Sequence, residues 1–198
     1  MKHLFLFLLL LVSCVAFTQK KYEDSLKAFQ NNYVQTHEVV RGEDRRALQF
    51  YPVNKAYCVK ARFKRAADSK WMSFPTSGNI TKVYKLFGTL AFQLNGKPLR
   101  LNVYQSQDLM MSAEYRNYLF LPFTDSTTGN ETYEGGRYID LMTTDIQNGT
   151  VLLDFNKAYN PYCAYVSGKY NCPIPPKENM LPVAVRAGEK AFAKAHAD

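Results

Sequence analysis

Two neighbouring segments of this chain hold the groups best suited to chemistry. Residues 137–144 and 150–156 each alternate polar and apolar side chains, the pattern of a strand with one buried face. Tyr138 and Asp140 stand two apart, as do Asp154 and Asn156, so each pair shares a face. Ile139, Leu141, Leu153 and Phe155 supply the opposite, apolar face. Asn148-Gly149 between the segments predicts a hairpin. A two-residue turn there sets Leu141 against Asn156, apolar against polar. A three-residue loop, Gln147-Asn148-Gly149, sets Leu141 against Phe155 and Asp140 against Asn156, and the patterning favours it. Asp154 is then the diagonal neighbour of Asp140, with Cα atoms roughly 7–8 Å apart. Two carboxylates that close push one pKa upward, which is what a hydrolase with an acid/base pair needs. Arg137 has the planar fork that holds a carboxylate or phosphate. Its structural alternative is an ion pair with Glu131 or Glu134.

The loop that follows, residues 157–179, is the second concentration. Tyr159, Asn160, Tyr162, Tyr165 and Tyr170 crowd it, and Cys163 and Cys172 bracket its tip. Tyrosines there either stack on a ligand and anchor it or form the loop's own small core. A disulfide between Cys163 and Cys172 is the default in an exported chain. A metal pair and a catalytic thiol are its rivals, and neither has a paired histidine to support it. Cys58 is left over and reads as a buried free thiol. Of the three histidines, His3 lies at the start, His37 in a predicted helix and His196 near the end. That scarcity argues against a multi-histidine metal site. Gly135-Gly136 allows positive φ, either to bring amides up to a ligand or simply to bend the chain. No phosphate-loop signature follows it, and no cofactor motif is present. The candidate ligand-binding set is therefore Glu131, Tyr133, Arg137, Tyr138, Asn156, Tyr159 and Asn160, with Asp140 and Asp154 as the catalytic candidates.

These groups need a scaffold, and the remaining patterns supply one. Tyr22, Leu26, Phe29, Tyr33 and Val40 recur at steps of three, four and seven, which predicts an amphipathic helix over 22–40. A short second helix is predicted near Glu43 to Leu48. From Tyr57 onward the period is two. Runs at 57–63, 82–94, 99–104 and 118–123 read as strands, with Asn95-Gly96 turning one hairpin. The fold class is α+β, mainly antiparallel β: an N-terminal helical pair followed by a β-sandwich or partly closed β-barrel of six to eight strands. Residues 20–198 suffice for a single globular domain.

The ends and the charge bear on location and partners. Residues 4–12, LFLFLLLLV, follow Lys2 and read as a secretory signal ending near residue 19, or as a lipoprotein signal ending before Cys14. Nine apolar residues are too few to span a bilayer, so membrane attachment would rest on a lipid anchor at Cys14. The net charge of +8 is spread along the chain rather than gathered in one sequence run, which argues against nucleic acid.

The C-terminal half also carries a spaced set of motifs. It runs Pro122-Phe123-Thr124-Asp125, then Gly129, Glu131-Thr132-Tyr133, Gly135-Gly136-Arg137-Tyr138-Ile139-Asp140, and Leu153-Asp154-Phe155-Asn156. Ala158-Tyr159-Asn160-Pro161, Cys163, Cys172-Pro173, Glu178-Asn179 and Ala187-Gly188-Glu189 complete it. The set resembles the bacterial domain-of-unknown-function family numbered 1684 over about residues 50–190. That resemblance implies no settled activity, substrate or cofactor. The expected role is an exported module that binds a small polar or anionic ligand between segments 131–140 and 154–179. The alternatives are the carboxylate-pair hydrolase and a cell-envelope interaction protein without a small-molecule site.

Overall fold

The computed structural model describes the backbone of residues 2–194, and side chains from Gln19 onward. Residues 4–12, read above as a signal, and Cys14 fall outside the residues whose side chains are described. Helix α1 spans Lys2–Thr36. The predicted second helix is a 3-10 turn at Gly42–Ala47 with Glu43 and Asp44 in its first turn. The strands are β1 (Cys58–Arg65), β2 (Trp71–Phe74), β3 (Lys82–Leu94), β4 (Lys97–Ser106), β5 (Tyr118–Asp125), β6 (Arg137–Met142), β7 (Thr150–Asp154) and β8 (Met180–Leu181). A single turn of helix, α2 (Gln107–Met110), follows β4.

All eight strands join one sheet in the order β6-β5-β4-β3-β1-β7, with β2 added to β3 and β8 lying parallel to β5. The sheet curls into a half-barrel, so the open-barrel expectation holds and no second sheet packs against the first among the described residues. β3 and β4 form the hairpin that Asn95-Gly96 predicts. Both turn residues have positive φ, 51° and 74°, as a two-residue turn between twisted strands requires. The concave face holds the main core: Ala61, Leu90, Leu101, Leu121, Leu153 and Phe155 are wholly buried there. Removing the leucine and phenylalanine side chains among them from water stabilises by about 1.5–3 kcal/mol each. The convex face carries a second cluster that runs across five strands: Phe74, Tyr84, Tyr104, Phe120 and Tyr138. Tyr84 stacks on Phe120, and Phe120 meets Tyr138 edge to face at 4.7 Å.

The β6–β7 hairpin needs correction. β6 pairs with β5 and β7 pairs with β1, so the two are opposite edges of the sheet and share no ladder. Asn148-Gly149 does reverse the chain, but as a two-residue turn: Gln147 and Thr150 exchange N–H to C=O bonds of 2.9 Å. The cause is local. The Met142 N–H donates to the Asp145 carboxylate and the Thr143 N–H to the Asn117 carbonyl, which winds Thr143–Asp145 into a 3-10 turn. β6 is thereby led away, while β1 offers β7 a ladder from Cys58–Asp154 to Arg62–Thr150. The two faces nevertheless divide as the alternation predicts, since Ile139, Leu141, Leu153 and Phe155 all enter the main core. Asp140 stands opposite Phe120 and Asp154 opposite Cys58. The diagonal carboxylate pair therefore does not form, and the hydrolase reading built on it falls with it.

Candidate functional site

The residues that come together do so where the convex aromatic cluster ends, at β6. The 157–179 loop crosses Tyr138 there. Tyr138 and Tyr159 exchange backbone bonds of 2.9 and 3.0 Å, and the Tyr138 hydroxyl donates to the Pro173 carbonyl. α1 brings Phe29 and Tyr33 to the other side. The cleft between them has a volume of about 820 Å³. Phe29, Tyr33, Tyr138, Tyr159, Tyr162 and Tyr170 line it, together with Asp140, Lys82 and Lys157.

Asp140 is the polar centre of this cleft. Its Oδ1 accepts from the hydroxyls of Tyr118 and Tyr159, each at 2.7 Å. Oδ2 has no protein partner among the described residues, and no lysine or arginine pairs with Asp140. The residue is solvent exposed although protein crowds it on the β5 and loop sides. That crowding raises its pKa above the ordinary carboxylate value, and the two phenolic hydrogen bonds act against the rise. Burial, together with the neighbouring carboxylate, pushes both phenols well up, so they remain donors at any ordinary pH.

Cys163 and Cys172 are joined in a disulfide with Cα atoms 6.2 Å apart. The metal and thiol alternatives for this pair therefore lapse. The bridge sits beside the cleft, where Cys172 and Pro173 form part of the wall. The Cys172 N–H donates to Ser77 Oγ at 3.1 Å and the Ser77 N–H to the Cys172 carbonyl at 3.0 Å, so the loop tip is tied to the β2–β3 connection. A loop of this size contributes on the order of 2–3 kcal/mol by restricting the unfolded chain. Cys58 is free and half-buried, and burial raises the pKa of its thiol. Alkylation without reductant should label Cys58 on unfolding and leave Cys163 and Cys172 untouched. Labelling of the latter two in the oxidised protein would refute the bond.

The other candidate residues lie elsewhere. Arg137 is buried. Its Nη2 pairs with Asp125 at 2.8 Å and donates to the Val185 carbonyl at 2.8 Å, and its Nη1 reaches the Ala187 and Glu189 carbonyls. The anion-holding role is corrected accordingly: this fork is occupied by protein and closed to solvent. Glu131 instead takes Arg186 bidentately, at 2.7 and 2.8 Å, and accepts from the Tyr51 hydroxyl. Tyr133 packs under the 133–136 bend. Gly136 has φ +82°, and a Cβ there would come within 2.7 Å of the Phe123 carbonyl, so this glycine serves shape. Asp154 and Asn156 clamp α1 and the 54 loop to the sheet. Tyr22 donates to Asp154 at 2.9 Å, and Asn156 exchanges hydrogen bonds with the Asn54 backbone. Asp154 and Asp140 border one recess of about 460 Å³ between the two sheet edges, but each is held by its own partners.

Asn160 belongs to a buried set that the sequence patterns do not reveal. Its N–H donates at 2.8 Å to Glu189, which is wholly buried. Glu189 also accepts from Tyr165 at 2.7 Å and from Tyr33 at 3.2 Å. Burial raises its pKa to about 7, against the pull of those donors and of Arg137. His37, buried just beyond α1, packs edge to face on Tyr33 and Tyr165. Burial and Arg45 lower its pKa to about 4. A Gly-Glu pair near the C-terminus reads as surface, and only its long-range contacts make it core.

Residues 43–190 match the family described as protein of unknown function (DUF1684). The chain belongs to this family. The matched DUF1684 region contains the whole sheet, the Asp125–Arg137 pair, Glu189 and every named cleft residue except Phe29 and Tyr33, which α1 adds from outside it. Among solved structures, the chain is similar to an uncharacterised protein of Haloarcula marismortui determined by solution NMR. The two are 32% identical, the alignment covers 87% of this chain and 96% of that one, and the TM-score is 0.65. No curated protein matches the chain.

Proposed function

We propose that this DUF1684 protein binds a small polar ligand in the tyrosine-lined cleft, outside the cytoplasm, with Asp140 as the principal acceptor. The observation that carries the reading is the division of labour at that carboxylate. One oxygen is saturated and aimed by two phenols, and the other is left without a partner in a concave aromatic site. Such a group is poised to accept a hydroxyl or ammonium hydrogen. Tyrosine faces stack on a ring or on its C–H edges. Lys82 and Lys157 line the same cleft and suit a ligand that also carries an anionic group. The Cys163–Cys172 bond is consistent with an oxidising compartment, and the N-terminal apolar run with export.

Calorimetric titration with amino acids, amino sugars and uronic acids tests the reading. A ligand found in this way should lose tenfold or more in affinity on Asp140→Asn, because a hydrogen bond to a charged group is worth about 1.5–3 kcal/mol. The substituted amide keeps an acceptor oxygen for the phenols, so the fold should survive. An affinity untouched by that substitution would remove Asp140 from the site, and a panel without any binder would remove the function.

A further inference from the structure

We propose that the convex face of β1, β3 and β4 is a second binding surface, and that its partner is a linear acidic polysaccharide. On β1, Lys60, Arg62 and Lys64 alternate with inward-facing Ala61 and Phe63 and are exposed. The register places Arg62 beside Ala91 of β3, and Ala91 beside Arg100 of β4. Lys64 lies beside Thr89, and Thr89 beside Asn102. Adjacent strands are about 4.8 Å apart, so Arg62 and Arg100 stand roughly 10 Å apart across a low floor. Along β1 the cationic side chains repeat about every 7 Å. The result is a trough with basic walls.

Two continuous depressions share Arg62, Ala91 and Arg100, with volumes of about 950 and 680 Å³. Their lining holds five basic residues and no aspartate or glutamate. Lys60, Arg62, Lys64 and Arg100 make no ion pair and no side-chain hydrogen bond among the described residues. Elsewhere on the surface, Arg46, Arg186 and Lys194 all have carboxylate partners. A track of unneutralised charge of this kind attracts a polyanion and speeds its approach.

The chemistry of the floor selects among polyanions. Gln93, Thr89 and the Asn102 amide offer donors and acceptors between the two basic tracks, as sugar hydroxyls require. Single-stranded nucleic acid would need aromatic rings standing clear of the sheet, whereas Phe63 and Phe92, which border these depressions, pack against the core, and Tyr84 and Tyr104 farther along the face are buried. An anionic bilayer would need a cluster of projecting apolar side chains, whereas Leu152, opposite Lys60, and Met72 on β2, opposite Tyr84, stand singly at the margins of this face. The three-strand register, invisible in the sequence, gathers charges that the sequence spreads over forty positions.

The test uses the full chain on heparin and polygalacturonate columns, and in titration at about 50 and 200 mM salt. The parent should be retained and should weaken steeply with salt. Arg62→Ser with Arg100→Ser should lower affinity at least tenfold and flatten the salt dependence by about two charges, by analogy with counterion release from other polyanions. Lys27→Ala with Lys169→Ala, exposed lysines on α1 and on the 157–179 loop, should change affinity less than twofold. No retention of the parent, or an equal loss in the control pair, would overturn the surface. Binding as tight to a single-stranded oligonucleotide or to phosphatidylserine vesicles would overturn the polysaccharide as its partner.

Discussion

Replacing Arg137 by methionine is expected to destabilise the protein by about 3–5 kcal/mol, the usual cost of breaking a buried ion pair from one side. Arg137 is 1% exposed and is the only cation on Asp125 among the described residues. Asp125 Oδ1 is already taken by the N–H and hydroxyl of Thr127, at 2.8 and 2.6 Å, and Oδ2 depends on Arg137. The substitution leaves that carboxylate buried and unpaired. It also strands the carbonyls of Val185, Ala187 and Glu189, through which the C-terminal segment is fastened to β6. Against a typical total of about 5–15 kcal/mol, the loss is large. Arg137→Lys should recover little, because one ammonium cannot serve four acceptors in a plane. Urea unfolding measures both, and a loss under about 1 kcal/mol for the methionine variant would contradict the assignment.

The second large effect concerns pH and comes in two opposed parts. Glu189 has its folded pKa raised to about 7, so between about pH 4.5 and 7 the folded state binds more protons than the unfolded one. Its contribution is complete below that window and is lost as pH rises through it, by roughly 3 kcal/mol. His37 has its folded pKa lowered to about 4, so between about pH 4 and 6.5 the unfolded state binds more protons. Its contribution therefore grows as pH rises. The ring lies just beneath the surface, where solvent weakens the effect, and about 2 kcal/mol is the fitting scale. Both side chains contact Tyr33 and Tyr165, and their pH dependences largely cancel. Glu189→Gln should uncover a stability that climbs from pH 4.5 to 6.5, and His37→Gln one that falls. Urea midpoints at four pH values, each taken relative to the parent so that other groups drop out, give the comparison. Parallel curves for all three proteins would exclude both shifts.

How far the sequence leads can be judged from particular residues. The β3–β4 hairpin is legible because Asn95-Gly96 and strict alternation are local signals. The disulfide is legible because nine-residue spacing needs no knowledge of topology. Tyr138, Asp140 and Tyr159 reach one cleft as a consequence of strand alternation and a nearby loop. Arg137 misleads because its partner, Asp125, lies on the neighbouring strand β5 and carries no mark of burial. The β6–β7 ladder misleads although its turn dipeptide is real. Asp145 caps Met142 in place of continuing the strand, and β1, far away in the chain, competes for β7. Phe29 and Tyr33 read as part of a core stripe of α1, whereas Phe29 is 39% exposed at the cleft. Apart from the local Asp145 cap, these misreadings depend on contacts between residues distant in sequence.

The strand order also sets a timetable. β3 and β4 can meet as soon as both exist, but β1 must wait for β7 until most of the chain has been made, since Arg62 pairs with Thr150. At a synthesis rate of about 5–20 residues per second, that interval is on the order of 5–20 s. β1 meanwhile presents an unpaired edge, rich in Lys and Arg, which discourages the nascent chain from joining a neighbouring copy. α1 finds its full seat only afterwards, because Tyr22 and Gln30 bond to Asp154 and Asn156. The aromatic wall that α1 brings to the cleft is thus among the last parts of the molecule to be assembled.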